Sequence, residues 1–190
     1  MVERIIDAGR RCLIEYGYEG VSTNRIAATA GISPGSLYQY FPNKDAIVSA
    51  VIDRFSDELA SRIGARVFDQ LDQPAPVIVR TTLAALLDEL DVHPDFLRAV
   101  VERTPRLEAA GTLAAFERRI GELTTAYLML HRKTLRPDVP LDTAAWILVR
   151  TVEHLTVRYV LDRPSIDRDQ FLDEMSRLVL NYLRPVSNAN

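Results

Sequence analysis

The spacing of the prolines limits the folds open to this chain of 190 residues more than any other feature. Its 10 prolines fall at positions 34, 42, 74, 76, 94, 105, 137, 140, 164 and 185. The segments between them show helix-period apolar spacing, and none alternates steadily between apolar and polar residues. Because proline is tolerated at a helix start but breaks a helix interior, the pattern predicts an all-α protein of about nine helices, without strands.

Composition excludes several classes of protein. Apolar residues make up 47% and charged residues 26%, as in ordinary globular proteins. The single cysteine, Cys12, excludes an intrachain disulfide framework and a zinc site of several thiolates. The net charge of −3 excludes a uniformly basic nucleic-acid-binding protein but not a local basic face. The sequence shows no signal peptide and no apolar run of about 20 residues, so we expect a cytoplasmic protein with no membrane partner.

The first 45 residues differ from the rest of the chain. In this part the expected helices are short and their turns carry glycines, whereas the expected helices after residue 44 are long. The change predicts two domains, residues 1–45 and residues 46–190, with a helix over 44–64 bridging them.

Residues 21–41 carry the signals of two short helices joined by a tight turn. Ser22 is a good N-cap for the first helix, and Gly31 follows its last residue, where a left-handed conformation is cheapest for glycine. Ser33 then caps a second helix, with Pro34 at its first position. Two helices joined by a three-residue turn containing glycine form the helix-turn-helix pattern.

The second of these helices has an uncharged outer surface. At about 100° per residue, Leu37 and Phe41 point to the core, and the opposite arc is small, polar and aromatic. Small residues permit close approach to DNA base edges, and Gln39 can hydrogen-bond to adenine in the major groove. The remaining residues of this arc are Gly35, Ser36 and Tyr38, with Tyr40 on its flank.

Local charge also favours DNA. From Gly20 to Lys44 there is no aspartate or glutamate. Lys44 lies in the first turn of a helix that Asn43 should cap, where a cation opposes the helix dipole by roughly 0.3–1 kcal/mol. A DNA phosphate at that helix end would be attracted by both the dipole and the ammonium. The alternative is a small three-helix packing unit without a ligand.

Residues 5–48 closely resemble the DNA-binding domain of the TetR family of transcriptional regulators. The matching motifs are Tyr16-Gly17-Tyr18-Glu19-Gly20, Ile26-Ala27, Ala30-Gly31-Ile32-Ser33 and Gly35-Ser36-Leu37-Tyr38-Gln39-Tyr40-Phe41-Pro42-Asn43-Lys44. The resemblance implies a homodimer on double-stranded DNA, each protomer placing its second short helix in a major groove, and a ligand-binding and dimerisation domain in the rest of the chain. It implies phosphate contacts from Thr23, Tyr38, Tyr40 and Lys44. It implies positions at or near base edges for Asn24, Pro34, Gly35, Ser36 and Gln39.

The N-terminal end departs from many relatives. Almost no chain precedes the first helix, so we expect no basic arm that reaches a minor groove. This end carries three arginines and three nearby acids: Arg4, Arg10, Arg11, Glu3, Asp7 and Glu15. Because the acids offset the arginines, we expect modest non-specific affinity and a shallow salt dependence.

Two predicted helices near the C-terminus have wide apolar faces, over residues 141–161 and 171–183. Such a pair suits a two-fold four-helix interface between protomers. The alternative is that both helices are buried within one subunit.

A pocket for a small apolar or amphipathic effector is expected between the middle helices, although most apolar stripes are plain core. Three polar residues stand out in an apolar helix, Arg150, Glu153 and His154. Arg150 and Glu153 could orient a ligand head group, meet at a dimer contact or form an internal ion pair. The full set of candidates is Leu87, Phe96, Phe116, Ile120, Leu123, Tyr127, Trp146, Arg150, Glu153 and His154.

The motifs predict neither a metal site, nor a cofactor, nor an enzyme. The three histidines lie on separate elements, and no nucleophile elbow or phosphate loop is present. The family resemblance favours a transcriptional regulator. We expect a repressor that a small-molecule effector releases from a palindromic operator. A ligand-binding helical protein whose N-terminal module no longer reads DNA is the second hypothesis, and an enzyme without these motifs is the third.

Overall fold

The computed structural model describes residues 1–68, 70, 72–103 and 112–185, and for residues 67, 68, 102, 103 and 112–119 it describes only the backbone. Across these ranges the chain forms nine α-helices, one short 3-10 helix at Arg132–Thr134 and no strand, as the proline spacing predicts. The helices are α1 Val2–Gly20, α2 Thr23–Ala30, α3 Pro34–Tyr38, α4 Lys44–Phe68, α5 Ala75–Val92, α6 Pro94–Arg103, α7 Thr112–Leu130, α8 Leu141–Asp162 and α9 Arg168–Leu183.

The chain divides into two compact units. Unit 1 is Met1–Glu58 with the described part of His93–Phe116, and unit 2 is Leu59–Val92 with the described part of Glu117–Asn190. Unit 1 therefore contains α1, α2, α3, the first part of α4, and α6. The boundary after residue 45, which separates a DNA-binding domain from a ligand-binding and dimerisation domain, stays a prediction.

The core of unit 1 joins its helices through fully buried aliphatic side chains. Ile5, Ile26, Leu37 and Ile47 are each 0% exposed. A Cβ on Gly9 of α1 would lie 2.8 Å from Ile47 Cγ2 on α4, so the close approach of these helices requires glycine there.

The predicted caps of the two short helices are present. Ser22 Oγ accepts a hydrogen bond from the Arg25 amide at 3.2 Å, and Ser33 Oγ accepts one from the Ser36 amide at 3.1 Å. Gly31 ends α2 with φ 65° and ψ 40°, the left-handed conformation expected there. These local bonds define the angle at which α3 follows α2.

Two helix ends differ from the simplest interpretation of the sequence. The chain leaves α3 after Tyr38, yet the Phe41 amide still donates to the Leu37 carbonyl at 3.0 Å and the Phe41 ring packs on the core. Helix α4 continues past Gly64 to Phe68, because an interior glycine costs only about 1 kcal/mol relative to alanine and does not by itself end a helix.

Unit 2 is built around α5, α8 and α9. A buried cluster of small and aliphatic residues joins α7, α8 and α9, including Leu128, Ala144, Leu148 and Val179. Ion pairs on the surface connect α5 to α9, from Arg80 to Asp169 at 2.8 Å and to Asp173 at 2.9 Å. None of the helices in the ranges given above is both long and apolar enough to cross a membrane.

Candidate nucleic-acid interface

The buried side of α3 determines which of its side chains face outward. Leu37 is completely buried in the core of unit 1, so the opposite side of this short helix faces outward. Tyr38 is 53% exposed and Tyr40 46% exposed. Large aromatic side chains this exposed, each ending in a hydroxyl, suit contact with a polar ligand.

The nine predicted DNA-contact residues all belong to unit 1, and most lie on its surface. The exposed ones are Asn24, Pro34, Gly35, Tyr38, Gln39 and Tyr40, and the half-buried ones are Thr23, Ser36 and Lys44. Ser36 is partly covered because its hydroxyl is within hydrogen-bond distance of Ser33 Oγ, at 2.9 Å. Their contacts with DNA stay a prediction.

A hydrogen bond joins two of the residues expected to contact phosphate. Thr23 Oγ1, at the start of α2, lies 2.9 Å from Tyr38 Oη, at the end of α3. Two hydroxyls carry two protons, and only one is needed for the bond between them. The pair therefore keeps one donor for a phosphate oxygen, held between the two helices.

Lys44 is positioned by contacts that the sequence did not indicate. Its Nζ donates to the Tyr18 carbonyl at 3.1 Å and lies 4.3 Å from the centroid of the Tyr18 ring. The Tyr18 hydroxyl in turn donates to Asp45 Oδ1 at 2.5 Å. The Tyr18 carbonyl follows a break in α1 at Gly17 (φ 64°), and its bond to the ammonium offsets part of the cost of a cation in the first turn of α4. An ammonium has three donors, so two remain for a phosphate.

A second cation of the acid-free stretch, Arg25, is also held in place. Its guanidinium lies over the exposed Tyr16 ring, 4.0 Å from the centroid, and its Nη1 donates to the Gly20 carbonyl at 2.5 Å. A hydrogen bond to Glu15 raises the pKa of Tyr16. In the sequence, the absence of aspartate and glutamate between Gly20 and Lys44 is the only sign that the positive charge of Arg25 matters.

The candidate pocket residues of unit 2 differ in exposure, and their contact with an effector stays a prediction. In unit 2, Leu87 is buried, Ile120 and Tyr127 are half-buried, and Leu123 and Trp146 are 55% and 64% exposed. Burial raises the pKa of Tyr127. The side chain of Phe116 lies outside the described residues.

Phe96 belongs to unit 1, not to the middle helices of unit 2. It is 1% exposed, with its ring 4.9 Å from that of Phe55 and the Arg10 guanidinium 5.0 Å from its centroid. The cause is the packing of α6 against α1, which connects helices far apart in sequence.

Two of the three polar candidates on α8 form an ion pair with each other within one subunit, as their spacing allows. Arg150 Nη1 lies 3.8 Å from Glu153 Oε2, and His154 is exposed beside them. An open groove of about 430 Å³ runs between α8 and α9 and contains none of the candidate pocket residues. Its apolar lining is Leu155, Phe171, Met175 and Leu178. Throughout the described chain, no group of three histidine, cysteine, aspartate or glutamate side chains could hold a metal ion.

An all-α chain with a capped helix-turn-helix and an outward polar-aromatic helix has the construction of a DNA-binding transcriptional regulator. Residues 5–51 match the family of bacterial regulatory proteins named tetR, and residues 74–183 match the tetracyclin repressor-like C-terminal domain. This chain belongs to the TetR family. The predicted family, fold class and regulatory function are thereby confirmed.

Individual relatives agree with this assignment. An HTH-type transcriptional repressor of Mycobacterium tuberculosis is 32% identical over 114 residues, which are 57% of this chain and 61% of that protein. A nucleoid occlusion factor, SlmA of Pasteurella multocida, is 30% identical over 174 residues, 87% of this chain and 84% of that protein. The fold matches that of the fatty acid degradation regulator FadR of Bacillus halodurans with a TM-score of 0.78 and 16% identity, covering 97% and 96% of the two chains. Regulators of this family bind DNA operators and act as dimers.

Proposed function

We propose that this chain is a homodimeric repressor that binds an inverted-repeat operator through α3 and is released by a small molecule bound among the helices of unit 2. The observation that carries the proposal is the exposed, uncharged surface formed by Tyr38 at the end of α3 and by Gln39 and Tyr40, which follow it. Beside them, the hydroxyl pair of Thr23 and Tyr38 supplies a phosphate donor.

The groove between α8 and α9 supports the dimer. Leu155 is 37% exposed and Leu178 44% exposed, and both line that groove. A second copy covering them by a two-fold axis would bury apolar area on both protomers at once. The dimer would then present two α3 helices to half-sites about 34–36 Å apart, or a multiple of that spacing.

Release requires two conformations of the dimer that differ in the distance between the two α3 helices. The effector must bind one of these conformations more tightly than the other. A ligand with equal affinity for both states shifts nothing. The effector should therefore weaken operator binding, and by reciprocity the operator should weaken effector binding by the same factor. The function assigns no catalytic step to the protein, and it places the protein in the cytoplasm with the chromosome.

The first test is selection of bound sequences from a random duplex DNA pool at about 150 mM salt, which suppresses binding through phosphates alone. We expect an inverted repeat from the full chain. The matched control is Gln39→Ala, which should still bind DNA but with relaxed preference at one position of each half-site. Recovery of nothing above background from the full chain would contradict DNA reading and favour a ligand-binding protein.

A nucleoid occlusion role is the second candidate, favoured by the 30% identity to SlmA over 174 residues. Mapping of bound sites across the chromosome distinguishes the two roles. A repressor should occupy a few sites next to promoters and change the transcripts there. Many dispersed sites without transcript changes would favour nucleoid occlusion.

A further inference from the structure

Arg4 is fixed at the turn between the two helices of the DNA-binding motif. Its exposed side chain reaches from α1 to the end of α2, where Nη2 donates to the Ala30 carbonyl at 2.7 Å. The same nitrogen lies 3.6 Å from the point where a Cβ on Gly31 would stand. A guanidinium from near the chain start is thus attached to the turn that leads into α3.

The acids expected to offset this charge are directed elsewhere. Glu3 Oε2 binds Arg54 Nη1 of α4 at 2.8 Å, and the Asp7 carboxylate binds Arg54 Nη2. Both carboxylates are therefore held on α4, and neither pairs with Arg4. From their proximity in the sequence alone, these acids would be expected to offset the charge of the N-terminal arginines.

The bond to Ala30 leaves most of the Arg4 guanidinium available. An arginine has five N–H donors in a planar fork that fits a phosphate with two parallel bonds. One donor holds the Ala30 carbonyl, so the group is already oriented and loses little rotamer freedom on meeting a second partner.

We propose that Arg4 is a further DNA-contact residue, which binds a backbone phosphate beside the α2–α3 turn. The inference rests on the proposed function, because it requires an operator in contact with this motif. In helix-turn-helix complexes the first helix crosses the DNA backbone and the second enters the groove, so a cation at the end of the first lies near phosphates. Arg4 then supplies part of the electrostatic affinity for the DNA backbone.

The test compares Arg4→Gln with two matched variants of the full chain, Arg4→Lys and Arg11→Gln. Glutamine removes the charge but keeps an amide donor for the turn, lysine keeps the charge, and Arg11 is an exposed arginine elsewhere on α1. Affinity for the selected operator is measured by fluorescence anisotropy between 50 and 200 mM salt. For Arg4→Gln we expect the slope of log affinity against log salt to flatten by about 0.9 per protomer. The ratio of wild-type to Arg4→Gln affinity should therefore fall roughly threefold per contact as the salt rises from 50 to 200 mM. Arg4→Lys and Arg11→Gln should keep the wild-type slope.

Three outcomes would overturn the inference, and they have different meanings. An unchanged slope in Arg4→Gln with a lower melting temperature means that Arg4 only closes the turn. Equal flattening in Arg4→Gln and Arg11→Gln means that the effect is a general one of net charge. Failure of the wild type to bind any inverted repeat contradicts the proposed function itself, whereas the first two outcomes leave wild-type binding intact.

Discussion

The two units of this protein differ in what their surfaces leave uncovered. In unit 1 the exposed aromatic side chains include Tyr16, Tyr38 and Tyr40, which all end in hydroxyls, and the last two lie at the end of α3, whose Leu37 is fully buried. Unit 2 exposes large side chains that carry no hydroxyl, with Leu130 78% exposed and Trp146 64% exposed. The first kind of surface suits a hydrated polyanion, and the second suits burial against protein or an apolar ligand. This difference supports the proposal that unit 1 recognises DNA and that unit 2 serves assembly or effector binding.

The largest expected effect comes from breaking the core that holds α3. Leu37→Ala removes a fully buried side chain and should lower the free energy of unfolding by about 2–5 kcal/mol. Urea denaturation measures the change, and operator binding should be lost with it. The control is Leu130→Ala in unit 2, where the side chain is 78% exposed and a change within about 0.5 kcal/mol is expected. Similar losses in both variants would mean that Leu130 is covered in the assembled protein.

The second effect concerns the hydroxyl pair that joins α2 and α3. Tyr38→Phe removes the hydroxyl 2.9 Å from Thr23 and should weaken operator binding by about 1.5–3 kcal/mol, the range for hydrogen bonds to charged groups. Because the pair offers DNA only one of its two protons and holds it in place through the bond between the hydroxyls, the losses from Tyr38→Phe and Thr23→Val should not be additive. A double-mutant cycle on operator affinity measures this coupling. Strictly additive losses would mean that each hydroxyl contacts DNA independently.

The third prediction tests the turn. Gly31→Ala places a Cβ on a residue with φ 65°, which costs roughly 1–2 kcal/mol for residues other than glycine. Thermal unfolding should show a lower melting temperature. Gly35→Ala is the contrasting variant, because Gly35 is in α3 and a Cβ there meets only Ser33 Oγ at 3.9 Å. It should leave stability equal or slightly higher and yet weaken operator binding, since it adds bulk at the DNA-facing arc. A gain of stability in both variants would contradict the left-handed turn.

Within unit 1, the sequence predicts the local bonds better than it predicts the packing between helices. Ser22, Gly31, Ser33 and Asn43 were recognised as caps, and each makes its bond within a few residues, the Asn43 side chain accepting from the Ala46 amide at 2.8 Å. Such bonds depend on neighbours in the sequence, so single residues signal them. The packing of α6 on α1 depends on side chains nearly 90 positions apart, and helical periodicity states only that each helix has an apolar face, not which partner it meets.

The same limit applied to the charges of the candidate site. Lys44 was correctly placed in the first turn of α4, but its anchor, the Tyr18 carbonyl, comes from a different helix. Arg54 lies 51 positions from Glu3, so its capture of that carboxylate could not be deduced from spacing. For unit 2 the sequence indicated apolar stripes, but burial separated them into a core residue such as Leu87 and exposed ones such as Leu123.

The smallest expected effect lies in the ion pair of α8. Arg150 and Glu153 are 47% and 28% exposed and 3.8 Å apart, so water and salt screen much of their attraction. A double-mutant cycle with Arg150→Met and Glu153→Gln, followed by chemical denaturation, should give a coupling of about 0.3–0.5 kcal/mol or less. If the pair instead orients an effector, the same variants should weaken effector binding far more than they change stability. A coupling above about 2 kcal/mol in denaturation would mean that the pair is desolvated in the folded assembly. Arg150 and Glu153 would then belong to a buried contact between protein surfaces and not to an effector site. In that case less of the surface of unit 2 is open to solvent than the exposure in a single chain indicates.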